Sequence, residues 1–207
     1  AAHQSDPELK FGVCGPPFTE WIAQRGMDIR LFEPAVFLHA PMIYHPPRQY
    51  AEFVRSTCEN TSALVMPFLL ASDMAVAEVF PSANDVRLNL LATALSGGHG
   101  AVLWVGMESL DGEIMNALRR SMNEIRTLER YIVGAERLPE LTPEVQPAAT
   151  RPVRVGERTI DMPRENSEAP VMAWGWRSAT GRLVAVINYG SAPRSVRLAV
   201  PGIANAQ

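Results

Sequence analysis

The sequence predicts an α/β protein: a partial (β/α)8 (TIM) barrel of about four βα units, followed by a small antiparallel β domain. Three observations carry that expectation. Over residues 1–137, four short apolar runs alternate with segments of helical spacing, and such alternation implies parallel strands with helices outside them. From 138 to 170 proline and charge rise and periodicity fades, as in a linker or irregular surface. From 171 to 207 strands and turns follow one another without helical spacing.

The elements follow in order. "LKFGVCG" (9–15) is an apolar run closed by Gly-Pro-Pro, which suits a buried strand. "FTEWIAQRG" reads as a short helix with Thr19 as cap and Gly26 as stop. "DIRLFEP" (28–34) reads as the second strand, ended by Pro34, with Glu33 at its C-terminal end. "AVFLHAPMIYHPP" is too rich in proline for a regular element and too apolar for a solvated loop, so a packed loop is expected. Pro47 then opens a helix that buries Tyr50, Phe53, Val54 and Thr57 or Cys58.

"ALVMPFLLAS" (63–72) is the third strand, with a bulge expected at Pro67 and an end at Asp73. Ser82 and Asp85 form a capping-box pattern for a helix that stops at Gly97. Residues 101–105 make the fourth strand. Asp111 caps the last helix, whose Ile114, Leu118, Met122, Ile125, Leu128 and Ile132 recur at three- and four-residue steps until Gly134. In the linker one short strand is expected at 158–162. Three antiparallel strands follow, turning at Thr180-Gly181 and at 190–193, with Trp174 and Trp176 on one face and Ala173 and Gly175 on the other.

Composition narrows the function classes. With 47% apolar and 20% charged residues among 207, the chain is expected to fold rather than stay disordered. A net charge of -3 offers nothing to a phosphate backbone or an anionic lipid surface, so neither nucleic acid nor membrane is an expected partner. Cys14 and Cys58 lack C-x-x-C spacing and are expected to be buried thiols. The first ten residues lack a signal-peptide pattern and no apolar run approaches the roughly 18 residues of a span, so a soluble chain is expected, its compartment open. Asn60-Thr61-Ser62 fits the glycosylation triplet, a pattern common by chance. Neither G-x-G-x-x-G nor G-x-S-x-G occurs, and no cofactor or metal is expected.

In barrels of this type chemistry comes from the C-terminal ends of strands and the loops after them. That rule selects Cys14, Glu33, Asp73, Trp104 and Glu108. Glu33 and Asp73 are the candidate catalytic carboxylates for glycoside hydrolysis, one protonating the leaving oxygen while the other attacks carbon or activates water. Trp104 is the candidate platform for the apolar face of a sugar, with His39, Tyr44, His45 and Glu108 as further substrate-binding candidates. Each also has a plainer role: the carboxylates as caps, Trp104 as barrel core, the histidines in loop packing, and Glu108 at a helix start. A lone His39/His45 spacing is weak grounds for a metal site. His99 precedes its strand, at the end away from the rim.

"LNLLATALSGGHGAVLWVG" with its long following helix, the proline-rich linker and "GRLVAVINYGSAPRSVRLAVPG" resemble the last strands of a glycoside hydrolase (β/α)8 barrel and its C-terminal β-sandwich domain. The resemblance is one of arrangement, without a single diagnostic motif. It implies that Trp104 floors a sugar subsite, that Asp73 falls at the seventh-strand position where glutamate is more usual, and that the acid/base carboxylate after the fourth strand is absent. A piece of a larger hydrolase is therefore expected, with self-association through exposed sheet edges as a further expectation. The alternative is a non-catalytic carbohydrate-binding or interaction protein, motivated by Trp174 and Trp176.

Overall fold

A computed structural model describes residues 10–24, 27–32, 35–71, 81–104, 112–145, 150–155, 158–163, 170–190 and 193–202. The chain divides into two compact units, Ala1–Val133 and Gly134–Gln207. Among the described residues no helix is long and apolar enough to cross a membrane.

In the first unit, strand β1 (Phe11–Gly15) pairs in parallel with β2 (Val36–Pro41), and β2 pairs in parallel with β3 (Leu64–Val65). β3 and β4 (Phe68–Leu70) are two halves of one run interrupted at Pro67, whose missing N–H breaks the ladder. A parallel bridge between Met42 and Phe68 carries the pairing past the break, and β4 pairs in parallel with β5 (Val102–Trp104). The strands thus lie in sequence order. Helices α1 (Glu20–Gln24), α2 (Pro47–Asn60), α3 (Ala83–Leu95) and α4 (Gly112–Ile132) alternate with them.

Local chemistry explains the helix starts. The Ile22 amide donates to Thr19 Oγ1, and Pro47 opens α2 where its lack of an N–H costs nothing. Ser82 and Asp85 close a reciprocal capping box, each side chain accepting the other's backbone N–H. At the far end of α3, Gly97 takes a φ of 87° and lets the Gly98 amide reach the Thr93 carbonyl.

The helices cover one face of the sheet. Tyr50 and Val54 of α2, Val86 of α3 and Ile114 and Leu118 of α4 pack with Ile43 and Leu69 in one core. Phe18, Ile29, Val36 and Ala63 form a second, against which Val13 packs. Tyr50 is fully buried, so its hydroxyl pairs with Thr93 Oγ1 at 3.1 Å, and burial raises its pKa far above the ordinary value. By strand alternation and register, Cys14, Ala40, Met42, Phe68, Leu70 and Trp104 point to the opposite face.

Four expectations are corrected. Where a strand was expected from Asp28, Ile29–Leu31 is a 3-10 turn, because Asp28 Oδ1 accepts the Arg30 N–H and its carboxylate also holds the Arg30 guanidinium. The second strand instead lies within the expected packed loop. Cys14 is exposed and Cys58 half-buried rather than both enclosed. Along α4 only the first half of the apolar stripe is buried, through Ile114, Ala117, Leu118 and Ser121, while Met122 is 67% exposed.

In the second unit β10 (Val171–Ser178) is central, flanked antiparallel by β11 (Gly181–Asn188) and β6 (Glu136–Arg137). Gly175 lies under Leu138 and Leu141. The stretch expected as linker carries β7 (Glu144–Val145), which pairs with β12 (Val196–Arg197), and a hairpin of β8 (Thr150–Val155) with β9 (Arg158–Pro163). The strand expected at 158–162 is β9; its partner β8 was hidden by Pro152, which a strand with one neighbour among the described residues tolerates.

Candidate functional site

The C-terminal end of the parallel sheet holds a row of side chains. Register builds it. Strand β5 places Trp104 opposite Leu70, two residues beyond Phe68, so both rings share a face. They meet edge-on, centroids 5.9 Å apart and planes at 66°. Met42 follows on Phe68's other side, and its N–H donates to the Gly15 carbonyl at 2.8 Å, tying β1 to the row. Trp104 is 47% exposed, while the Ala71 amide holds its carbonyl at 3.2 Å. A fixed backbone thus presents an open ring.

At the β1 side of the row stand Cys14 and Tyr44. Burial, and then the charge of the nearby Cys14 sulfur, push the Tyr44 phenol above its ordinary pKa. A hydroxyl that stays protonated here is available to donate a hydrogen bond.

The remaining candidates part company. His39 lies in β2, in register with Val13 on the helix-covered face, and is only 2% exposed. Burial depresses its pKa, and a hydrogen bond to the Pro16 carbonyl opposes that shift. It therefore lies in a strand rather than in the expected loop, on the face away from the Trp104 row. His45 is exposed and sets its ring edge-on to Phe53 of α2, centroids 4.9 Å apart, as loop packing requires. The two histidines are not brought together, and among the described residues no three His, Cys, Asp or Glu side chains gather as a metal would need. Glu33, Asp73 and Glu108 lie outside the described residues. Of the strand whose end selected Glu33, the described part, Ile29–Leu31, is a 3-10 turn.

Sequence reasoning missed Phe68 and Met42 as neighbours of Trp104. The alternation of β4 carried the signal for Phe68; nothing local carried it for Met42, whose place depends on a bridge to another strand. It also set His99 apart from chemistry. That residue exchanges bonds with Val65, its N–H reaching the Val65 carbonyl at 2.8 Å and its Nδ1 accepting the Val65 N–H at 3.2 Å. Trp174 and Trp176 are 2% and 7% exposed, so neither offers a surface platform.

Comparison with protein-family models, curated protein sequences and solved structures gave no match.

Proposed function

We propose that this protein binds carbohydrate at the C-terminal end of its parallel sheet, as part of a glycoside hydrolase-like (β/α)8 architecture that cleaves O-glycosidic bonds. One observation carries the reading: the exposed Trp104 ring, braced by Phe68 at the last residue of a parallel strand. A pyranose has an apolar face of C–H groups, and an indole held edge-on by a second ring stacks on it with little loss of side-chain freedom. Asp73 follows β4, next to β5, and is the carboxylate this reading favours; Glu33 is its candidate partner. One would protonate the leaving oxygen while the other attacks the anomeric carbon or activates water. Tyr44 and Glu108 would add hydrogen bonds.

Titration with oligosaccharides, followed by tryptophan fluorescence, tests the platform. A saturable response in the wild type that Trp104→Ala abolishes supports it, and no response to any sugar removes it. Hydrolysis of the sugar that binds, compared with Asp73→Asn and Glu33→Gln, tests the chemistry. Full activity in both variants rules out these carboxylates, and sugar binding without turnover leaves the non-catalytic reading. Among the described strands β1 and β5 each have a neighbour on one side only, which supports self-association through a sheet edge, read by light scattering.

A further inference from the structure

The run that carries β3 and β4 turns alternate residues toward the chain leading into β5. The Val65 carbonyl accepts the His99 N–H at 2.8 Å, the Pro67 carbonyl accepts the Val102 N–H at 3.0 Å, and the Ala71 N–H donates to the Trp104 carbonyl at 3.2 Å. By that alternation the donors on this side belong to Ala63, Val65, Pro67, Leu69 and Ala71. Proline has no N–H, and Ala63 gives its own to Thr61 Oγ1 at 3.1 Å. On the N-terminal side of Pro67 the seam therefore depends on one strand donor, the Val65 N–H, and a side chain accepts it: His99 Nδ1, at 3.2 Å. The backbone beneath that ring is held in place. Gly97 takes a φ of 87°, the Gly98 N–H donates to the Thr93 carbonyl at 2.9 Å, and a Cβ at Gly98 would lie 2.6 Å from Thr93 Cγ2.

A backbone N–H can only donate, so the nitrogen that meets it must offer a lone pair, and the ring is the neutral tautomer with its hydrogen on Nε2. A second proton has only Nδ1 to go to, where it sets a donor against a donor. We propose that His99 is an acid-opened clasp: neutral, it closes the seam between β3 and the chain leading into β5, and protonated, it lets go of Val65. The ring is exposed and takes protons directly from solvent, whereas Val65 is only 1% exposed. Residues 96–100 and the facing Leu64–Met66 hold no other titratable side chain. On the surrounding elements stand His39 in β2, Arg55, Cys58 and Glu59 in α2, Asp85 and Arg87 in α3, and Glu124, Arg126, Glu129 and Arg130 in α4. Among the described residues none of them bonds or pairs with the His99 side chain, whose partner is the Val65 N–H. Since the bond needs the neutral ring, its contribution is complete at higher pH and is lost as pH falls through the range in which imidazole gains its charge. Release frees the N-terminal approach to the strand that carries Trp104, whatever that ring binds.

The test reads the Val65 amide itself, by hydrogen exchange of the full chain at about pH 7.5 and about pH 5, expressed as protection after correction for the intrinsic pH dependence. In the wild type, protection at Val65 should fall about tenfold in acid, as expected for the loss of one hydrogen bond. The next amide, Met66, donates to the His39 carbonyl on the other side of the run at 2.9 Å and should keep its protection. His99→Asn places Oδ1 where Nδ1 stands and does not titrate, so its Val65 protection should be the same at both pH values. Unchanged protection in the wild type, an equal fall in the asparagine variant, or an equal fall at Met66 each overturns the proposal. Should the variant fail to fold, the coupling across the hydrogen bond between the Val65 nitrogen and His99 Nδ1 in nitrogen-15-labelled wild type decides. A coupling present near neutrality and gone in acid supports the clasp; one that is absent at both values, or persists at both, sinks it.

Discussion

Trp104 meets Phe68 across the β4–β5 pair with their ring planes at 66° and centroids 5.9 Å apart, while nearly half of the indole stays open to solvent. An edge-to-face pair of this kind is worth about 0.5–1.5 kcal/mol. Trp104→Ala is therefore expected to lower unfolding stability by about 1 kcal/mol, whereas Trp174→Ala, removing a buried ring, is expected to cost about 3–5 kcal/mol. Urea unfolding of both variants checks this. Equal losses would make Trp104 a core residue and weaken its role as a platform.

Gly175 shows how tightly the second unit is packed. A Cβ added there would lie 2.9 Å from Leu138 Cδ1, 3.0 Å from Leu141 Cδ1 and 3.1 Å from Leu138 Cβ. The two Cδ1 atoms can swing away, but Leu138 Cβ moves only with its backbone. Gly175→Ala is expected to cost about 1–3 kcal/mol through overpacking. A smaller bulk at the facing position, Leu138→Val, should recover part of that loss in the double variant; strict additivity of the two costs would show that the residues are not in contact.

Thr57 links α2 to the loop after β1. Its hydroxyl donates to the Phe53 carbonyl at 2.8 Å and, in a buried bond, accepts the Phe18 N–H at 3.0 Å. Thr57→Val preserves shape and leaves the Phe18 N–H without an acceptor, an expected loss of about 1–3 kcal/mol. Thr57→Ser keeps the acceptor and should recover much of that difference in thermal unfolding. Amide exchange at Phe18 should quicken in the valine variant alone.

What the sequence made legible was local. The start of α2 at Pro47, the Ser82–Asp85 box and the positive-φ stops at Gly97 and Gly134 are each written in neighbouring residues, and each is present. The second strand was misplaced because residues 28–31 have apolar alternation, yet Asp28 turns its own backbone through bonds that no periodicity reveals. Pro41 at the end of β2 and Pro152 in β8 concealed strands for the opposite reason: at strand ends and open edges prolines cost little. At the site, Trp104 was legible as the last residue of an apolar run. Its company of Phe68 and Met42 was not, because register between strands distant in sequence decides it.

Asn89 on α3 is buried, and its Oδ1 has no hydrogen-bond partner. An acceptor taken from water and given nothing in return costs about 1–3 kcal/mol, and asparagine is also a poorer helix former than alanine. Loss of the amide's packing offsets part of the gain. Asn89→Ala is accordingly expected to raise stability by about 0.5–1 kcal/mol in urea unfolding, while Asn89→Asp, which places a charge at the same spot, should lower it by several times as much near neutral pH and far less in acid. A destabilised alanine variant would mean that the amide contributes more by packing than its unmet oxygen costs.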